Sequence, residues 1–214
     1  MENFECWMPS WEYLHLACKK IAKKMKEDKF KPDIVVALSR GGFVPARTIC
    51  DMLIIKDLVS IKVDHWGLTA TKDGKASIRY PLNADLMGKK ILVVDDITDT
   101  GDSMLVSTDF IKTLNPTEIR TATALHIKTS KFKPDYYGEE IDWKWVVFPW
   151  NYVEDMCNII PKVLDSKPKS EKQMKDELKN RFSLDLSEES IVEILGELEE
   201  RNVATRDGKG WIKS

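Results

Sequence analysis

The chain has 214 residues, 43% of them hydrophobic, 32% charged and 9% aromatic, the balance of a globular domain of ordinary size plus something small. Its formal net charge of −2 gives no general pull toward nucleic acid or anionic membrane, and no apolar run approaches the roughly 18 residues that span a bilayer. Cys6, Cys18, Cys50 and Cys157 are scattered without a C-x-x-C pair, and His15, His65 and His126 lie far apart, so neither a disulfide frame nor a zinc site is expected. "MENFECWMPSWEY" lacks the basic and then apolar layout of a signal peptide; a cytoplasmic protein with reduced thiols is the expectation.

Ser10 is placed to cap a helix in which Leu14, Ala17, Cys18, Ile21, Ala22 and Met25 recur at helical spacing, with lysines on the other faces as a solvated surface. "DIVVALS" (Asp33 to Ser39) reads as a buried strand delivering the loop "RGG", followed by a helix from Val44 to Met52. "LVSIKVDHW" (Leu58 to Trp66) suggests another strand. Residues 67 to 88 are polar and carry the turn signal Lys72-Asp73-Gly74-Lys75, which fits a hairpin or mobile flap. "KKILVVDD" is a further strand, Ser103 to Leu114 a helix, and "EIRTATALHIK" (Glu118 to Lys128) and "WKWVVFPW" (Trp143 to Trp150) two more strands. The alternation predicts an α/β fold, an open parallel sheet flanked by helices. Beyond a polar linker, residues 165–170, Ser170 and Gln173 have capping-box spacing for one helix, Ser187 opens a second, and "VATRDGKGWIKS" looks like two strands about an Asp207-Gly208 turn. Helix, helix, hairpin outlines a winged-helix-like module over 171–214, after a main domain over 1–164.

The chemistry concentrates in "ILVVDDITDTGDSM", Ile91 to Met104. Carboxylates this crowded repel one another and need partners. Asp95 and Asp96 stand at the carboxyl end of a buried strand, where open parallel sheets bind ligands. The loop Thr98, Asp99, Thr100, Gly101, Asp102, Ser103 then feeds a helix N-terminus. Hydroxyls, loop amides and the positive end of the helix dipole make a cradle for one phosphate dianion, and Gly101 lets the backbone approach it. Two acids beside such a cradle can accept from ribose hydroxyls and hold Mg²⁺. A sugar phosphate with Mg²⁺ is the ligand this suggests.

"VVDDITDTG" resembles the motif with which type I phosphoribosyltransferases bind 5-phosphoribosyl 1-pyrophosphate (PRPP). The resemblance spans Lys31 to Tyr152 and implies that Asp95 and Asp96 meet the ribose 2′ and 3′ hydroxyls while Thr98 to Ser103 bind the 5′-phosphate. "SRGG" (Ser39, Arg40, Gly41, Gly42), by itself equally a turn into a helix, resembles the family's pyrophosphate loop, with Arg40 supplying charge and the glycines exposing amides. The stretch from Trp66 to Tyr80 corresponds to the family's closing loop, or else is an inert hairpin. The spacing "IK…KPDYYGEE…KWVVFPW" resembles the 6-oxopurine branch (hypoxanthine, guanine and xanthine enzymes), particularly its bacterial and archaeal members. There Lys128 would donate to O6, Trp145 would stack on the purine, the Val146 backbone would meet the base edge, and Asp99 would approach N7 as general base. A lysine is a donor only and so favours a carbonyl over an amino group. Asp95 stands where several members have glutamate, Ser103 replaces a common threonine, and Asn151 to Val153 match less cleanly. The implied enzyme is a Mg²⁺-dependent transferase of purine salvage, a homodimer, with PRPP and a purine base as partners.

The alternative is a PRPP-sensing transcriptional regulator using the winged-helix-like module. Residues 165–214 hold ten Lys plus Arg against twelve Asp plus Glu, and the second helix carries Glu188, Glu189, Glu193, Glu197, Glu199 and Glu200, which nucleic-acid phosphates would repel. A module for protein contacts is the better expectation.

Overall fold

The structure is a computed structural model that describes residues 3–65, 76–80 and 82–214. Its elements in chain order begin with β1 (Cys6–Trp7), α1 (Trp11–Glu27), β2 (Ile34–Ser39), α2 (Phe43–Leu53), β3 (Leu58–His65) and β4 (Ala76–Tyr80). Then come β5 (Lys90–Thr98), α3 (Asp102–Lys112), β6 (Glu118–Ile127), β7 (Tyr136–Ile141), β8 (Trp145–Val146) and α4 (Tyr152–Ile159). A 3-10 turn (Ile160–Lys162), α5 (Glu171–Phe182), α6 (Glu188–Glu200), β9 (Ala204–Asp207) and β10 (Gly210–Lys213) complete the chain. They fall into two compact units, Trp11–Trp143 and Met1–Ser10 together with Lys144–Ser214.

The first unit is a six-stranded sheet in the order β4-β3-β2-β5-β6-β7. Its pairs are parallel except β3 with β4, which run antiparallel. β3 and β4 pair antiparallel, while the turn signal Lys72 to Lys75 and much of the stretch read as a hairpin or closing flap lie outside the described residues. Alternation in the strands sorts their apolar side chains onto two faces. Val35, Ala37, Leu92 and Val94 share one core with Ile21 and Met25 of α1 and Ala46 and Ile49 of α2. Val36, Leu38, Ile91 and Val93 share another with Met104 and Ile111 of α3. This two-sided burial explains why the strands read as continuous apolar runs. The edge strand β7 escaped the sequence reading because "YYGEEI" is half polar and buried only at alternate places.

The second unit has a single core. Val147, Met156, Ile159, Ile160 and Val163 pack with Met174, Leu178, Phe182, Ile191, Ile194, Leu195, Leu198 and Trp211. The division by contacts therefore falls after Trp143, whereas the sequence suggested a boundary after residue 164; the segment from Lys144 onward has its apolar partners in α5 and α6. "WKWVVFPW" adds no strand to the main sheet. Only Trp145 and Val146 are extended, and they pair in parallel with β1, Cys6 facing Trp145 and Trp7 facing Val146. The helix–helix–hairpin order beyond the linker is present. Ser170 and Gln173 form the capping box, with the Gln173 backbone N–H donating to Ser170 Oγ and the Ser170 N–H donating to Gln173 Oε1. Ser187 caps α6 through the Ser190 N–H.

Candidate functional site

Strands β2 and β5 are neighbours in the sheet, but the chain leaves β2 for β3 on one side and β5 for β6 on the other. Ligands bind open α/β sheets at such a reversal, beyond the carboxyl ends of the strands. The two loops that begin there are the two that the sequence singles out. They meet: a Cβ on Gly41 would overlap the carboxylate of Asp96. Only a residue without a side chain leaves room for that acid, which is the physical reason for glycine at position 41.

β5 continues through the acidic pair to Thr98, so Asp95 and Asp96 project to opposite faces of a strand end. Asp96 is buried, Asp95 half-buried, and Asp95 Oδ1 accepts the Asp96 N–H at 2.9 Å. Burial first, and then the neighbouring Asp96 carboxylate, raise the Asp95 pKa well above the usual carboxylate range. A cation would relieve that repulsion. Mg²⁺ is commonly held by one or two carboxylates and completes its shell with water and substrate oxygens, and the donor set fits it: two adjacent acids, and among the described residues no group of three or more acids, histidines or cysteines that would form a closed cage.

The hydroxyl loop is arranged differently from its sequence reading in two respects. Thr98 is not an open loop hydroxyl. It is the last residue of β5, buried, and its Oγ1 shares hydrogen bonds with His126 Nδ1 at 2.9 Å and Thr123 Oγ1 at 3.5 Å on β6. Its side chain anchors the loop's root. Gly101 has a left-handed φ of 89° as the N-cap of α3, and what approaches it is Ser130 and Phe132, where a Cβ would lie 2.9 and 2.6 Å from their side chains. Asp99 and Thr100 are exposed, and Asp102 and Ser103 half-buried, at the start of α3. Thr100 Oγ1 accepts the Asp102 N–H at 3.3 Å, and the Thr100 carbonyl accepts the Lys131 N–H at 3.1 Å. The N-terminus of α3, the positive end of its helix dipole, begins at this loop.

In the loop after β2, Arg40 is exposed and Ser39 half-buried; the Ser39–Arg40 peptide is cis. Ser39 Oγ donates to the Ile61 carbonyl at 2.9 Å, tying the loop to β3. The Gly42 amide donates to the Leu38 carbonyl at 2.9 Å, so its N–H is engaged within the loop. Gly42 is needed for close packing, since a Cβ would lie 2.5 Å from the Val94 carbonyl oxygen.

Lys128 directly follows β6, exposed, with Nζ 2.9 Å from Asp142 Oδ1. Two residues before it is His126, buried and with its pKa lowered, chiefly by burial. Sequence reasoning passed over His126; its spacing from Lys128 was visible, but its register opposite Thr98 was not. Trp145 and Val146 belong to the other unit as β8, both half-buried. The Trp145 Nε1–H donates to Asp155 Oδ1 at 3.1 Å, and its ring is tilted 54° to that of Phe4 at 6.1 Å. Trp143 is exposed, whereas Trp150 stacks on Phe148 at 4.8 Å.

An open parallel sheet whose switch point joins a glycine-rich loop to a paired-acid, hydroxyl-bearing loop defines a class of sugar-phosphate-binding α/β proteins. The family model of the phosphoribosyl transferase domain matches residues 10–155, and the chain belongs to that family, with its type I fold. Among solved structures, the purine phosphoribosyltransferase of Pyrococcus horikoshii superposes with a TM-score of 0.60 at 31% identity, over 68% of this chain and 93% of that one. The xanthine-guanine phosphoribosyltransferase of Ruegeria sp. is 31% identical over 168 residues, covering 68% of this chain and 87% of the relative. Xanthine phosphoribosyltransferase 1 of Saccharomyces cerevisiae is 26% identical over 183 residues, 66% of this chain and 88% of the relative.

Proposed function

We propose that the chain is a purine phosphoribosyltransferase of the 6-oxopurine branch, moving the 5-phosphoribosyl group from PRPP to hypoxanthine, guanine or xanthine with release of pyrophosphate. The observation that carries this is the meeting of Gly41 with the Asp96 carboxylate at the sheet's switch point, which unites the loop suited to pyrophosphate with the acids suited to ribose. Family membership and the purine enzymes among its relatives support it.

Asp95 and Asp96 accept hydrogen bonds from the ribose hydroxyls and are the residues that would hold Mg²⁺, which when bound supplies positive charge beside the departing pyrophosphate. Arg40 and the Gly41 backbone, with Ser39 and Gly42 shaping the loop, stabilise the same developing charge. Asp99, Thr100, Gly101, Asp102 and Ser103 hold the 5′-phosphate at the α3 N-terminus, with Thr98 as their buried anchor. Asp99, exposed beside that phosphate, accepts or relays the purine proton. Lys128, a pure donor, selects a carbonyl at C6, and releases Asp142 to do so. Trp145 stacks on the purine and the Val146 backbone meets its edge. Among the described residues no helix is long and apolar enough to cross a membrane; cytoplasmic salvage by a homodimer completes the proposal. DNA is not a partner in it, since Glu188, Glu189, Glu193, Glu199 and Glu200 are exposed along α6.

The test is pyrophosphate release from PRPP and Mg²⁺ with each of hypoxanthine, guanine, xanthine and adenine. Turnover with at least one 6-oxopurine and none with adenine is expected; adenine as the preferred base overturns the specificity. Asp99→Asn should lower kcat by about 10²–10⁴-fold if Asp99 is the general base, and an unchanged kcat removes it from that role. Lys128→Ala should raise KM for the base and leave KM for PRPP in place.

A further inference from the structure

The unit built from Met1–Ser10 and Lys144–Ser214 contains a buried carboxylate for which the reaction has no direct use. Asp155 is 8% exposed in the first turn of α4. Its backbone N–H donates to the Asn151 carbonyl at 2.9 Å, placing the residue at the positive end of that helix, where a negative charge is favoured. Burying a carboxylate is costly unless it is well partnered. Here Oδ1 accepts the indole N–H of Trp145 at 3.1 Å, although any uncharged acceptor would satisfy that donor. The nearby Cys6 thiol is pushed up to about 12 by burial and then by the charges of Asp155 and Glu5, so it stays protonated and adds no second anion.

The backbone of Trp145 is already held. Its N–H donates to the Glu5 carbonyl and that of Val147 to the Trp7 carbonyl, each at 2.9 Å. With the main chain pinned to β1, what remains free in a tryptophan is the rotation of its ring. Phe4 supports the ring from the side at a tilt, and a bond from the ring nitrogen to a fixed anion at the head of α4 removes the remaining freedom. We propose that Asp155 is a positioning residue for the base: by taking the Trp145 N–H it fixes the plane in which the indole is offered to the purine. The inference rests on the reading that Trp145 stacks on the base, and it adds a residue to recognition that does not itself touch substrate. Stacking depends on plane and offset, so a ring left to rotate binds less well without altering the chemical step.

Steady-state kinetics with base and PRPP varied separately tests it. Asp155→Leu should raise KM for the base roughly tenfold, the scale of one lost hydrogen bond to a charged group, with kcat and KM for PRPP unchanged. Asp155→Asn keeps an acceptor and should restore a base KM close to wild type. A merely structural role would instead move both KM values and the melting temperature together, without rescue by asparagine, and that result overturns the proposal. Combining Trp145→Phe with Asp155→Leu should raise the base KM no more than the larger single effect, because both remove the same Trp145–Asp155 bond; additive losses in base KM also overturn it. Should Asp155→Leu not fold, Trp145→Phe reads the same contact from its other side, and an unchanged base KM there is fatal to the proposal. Trp145→Ala separates the two levels. If it leaves the base KM alone, the stacking reading fails; if it raises the base KM while Asp155→Leu does not, stacking stands and only the positioning role falls.

Discussion

One acid from each compact unit shows how its neighbours can shift a carboxylate in opposite directions. In Trp11–Trp143 both faces of the sheet are apolar, and the acids gather at one strand end, where the pKa of Asp95 is raised by burial and by its own neighbour Asp96. In the other unit Glu177 lies between two cations, 2.7 Å from both Lys169 Nζ and Arg181 Nη1. Those cations also reach the main chain, Lys169 donating to the Val163 carbonyl at 2.6 Å and Arg181 to the Lys162 carbonyl at 2.8 Å. Although burial acts against it, this pairing holds the Glu177 carboxyl below its ordinary range. Carboxylates shifted in opposite directions mark different uses. The paired one closes a framework upon itself, and the repelled one is the acid proposed to take positive charge and hydroxyl donors from a ligand.

The largest effect expected from testing this contrast is on the framework side. Phe182 is fully buried and packs on Phe4 at 4.9 Å, and Phe182→Ala should cost about 3–5 kcal/mol in denaturant unfolding. Next comes the site. Gly41→Ala forces a methyl group into the Asp96 carboxylate and should lower kcat/KM about 100-fold through displacement of that acid, with a melting temperature near wild type. If activity survives, the two loops do not depend on each other. The sharpest discrimination uses a matched pair of substitutions measured without PRPP or Mg²⁺. Asp95→Asn removes a repelled charge and should raise the melting temperature by about 2–4 °C, corresponding to roughly 1 kcal/mol, while Glu177→Gln should lower it; the same sign for both would erase the contrast. The smallest effect is in pH. Because the folded pKa of Glu177 is lowered, its stabilisation is fully present above the unfolded value of about 4.3 and is lost as pH falls through the folded value. Thermal melts carried downward from neutral pH should therefore show a steeper acid loss in wild type than in Glu177→Gln.

Legibility in the sequence followed locality. The runs Val35 to Leu38 and Ile91 to Val94 announced buried parallel strands, and the capping box of Ser170 and Gln173 announced α5, because each signal is complete within a few residues. The acids and glycines of the candidate site were visible for the same reason. Thr98 was misjudged because β5 extends two residues beyond the acidic pair, and alternation then turns its hydroxyl inward to His126. The β1–β8 pairing could not be read, since two residues on each strand carry no periodicity and their partners are remote in the chain. Nor could α4, eight residues long, whose Asp155 matters through a contact with Trp145 that spacing alone does not reveal.

That short pairing also bears on the order in which a growing chain can take shape. Cys6 and Trp7 precede their strand partners Trp145 and Val146 by the whole of the six-stranded sheet, so β1 stays unpaired until that intervening chain has been made. Gly41 and Asp96 need far less chain to find each other. Domains tend to assemble as their residues emerge, and on that schedule the end proposed to grip phosphate matures early, while the strand bearing the proposed purine-stacking tryptophan is locked later, by a segment made long before it.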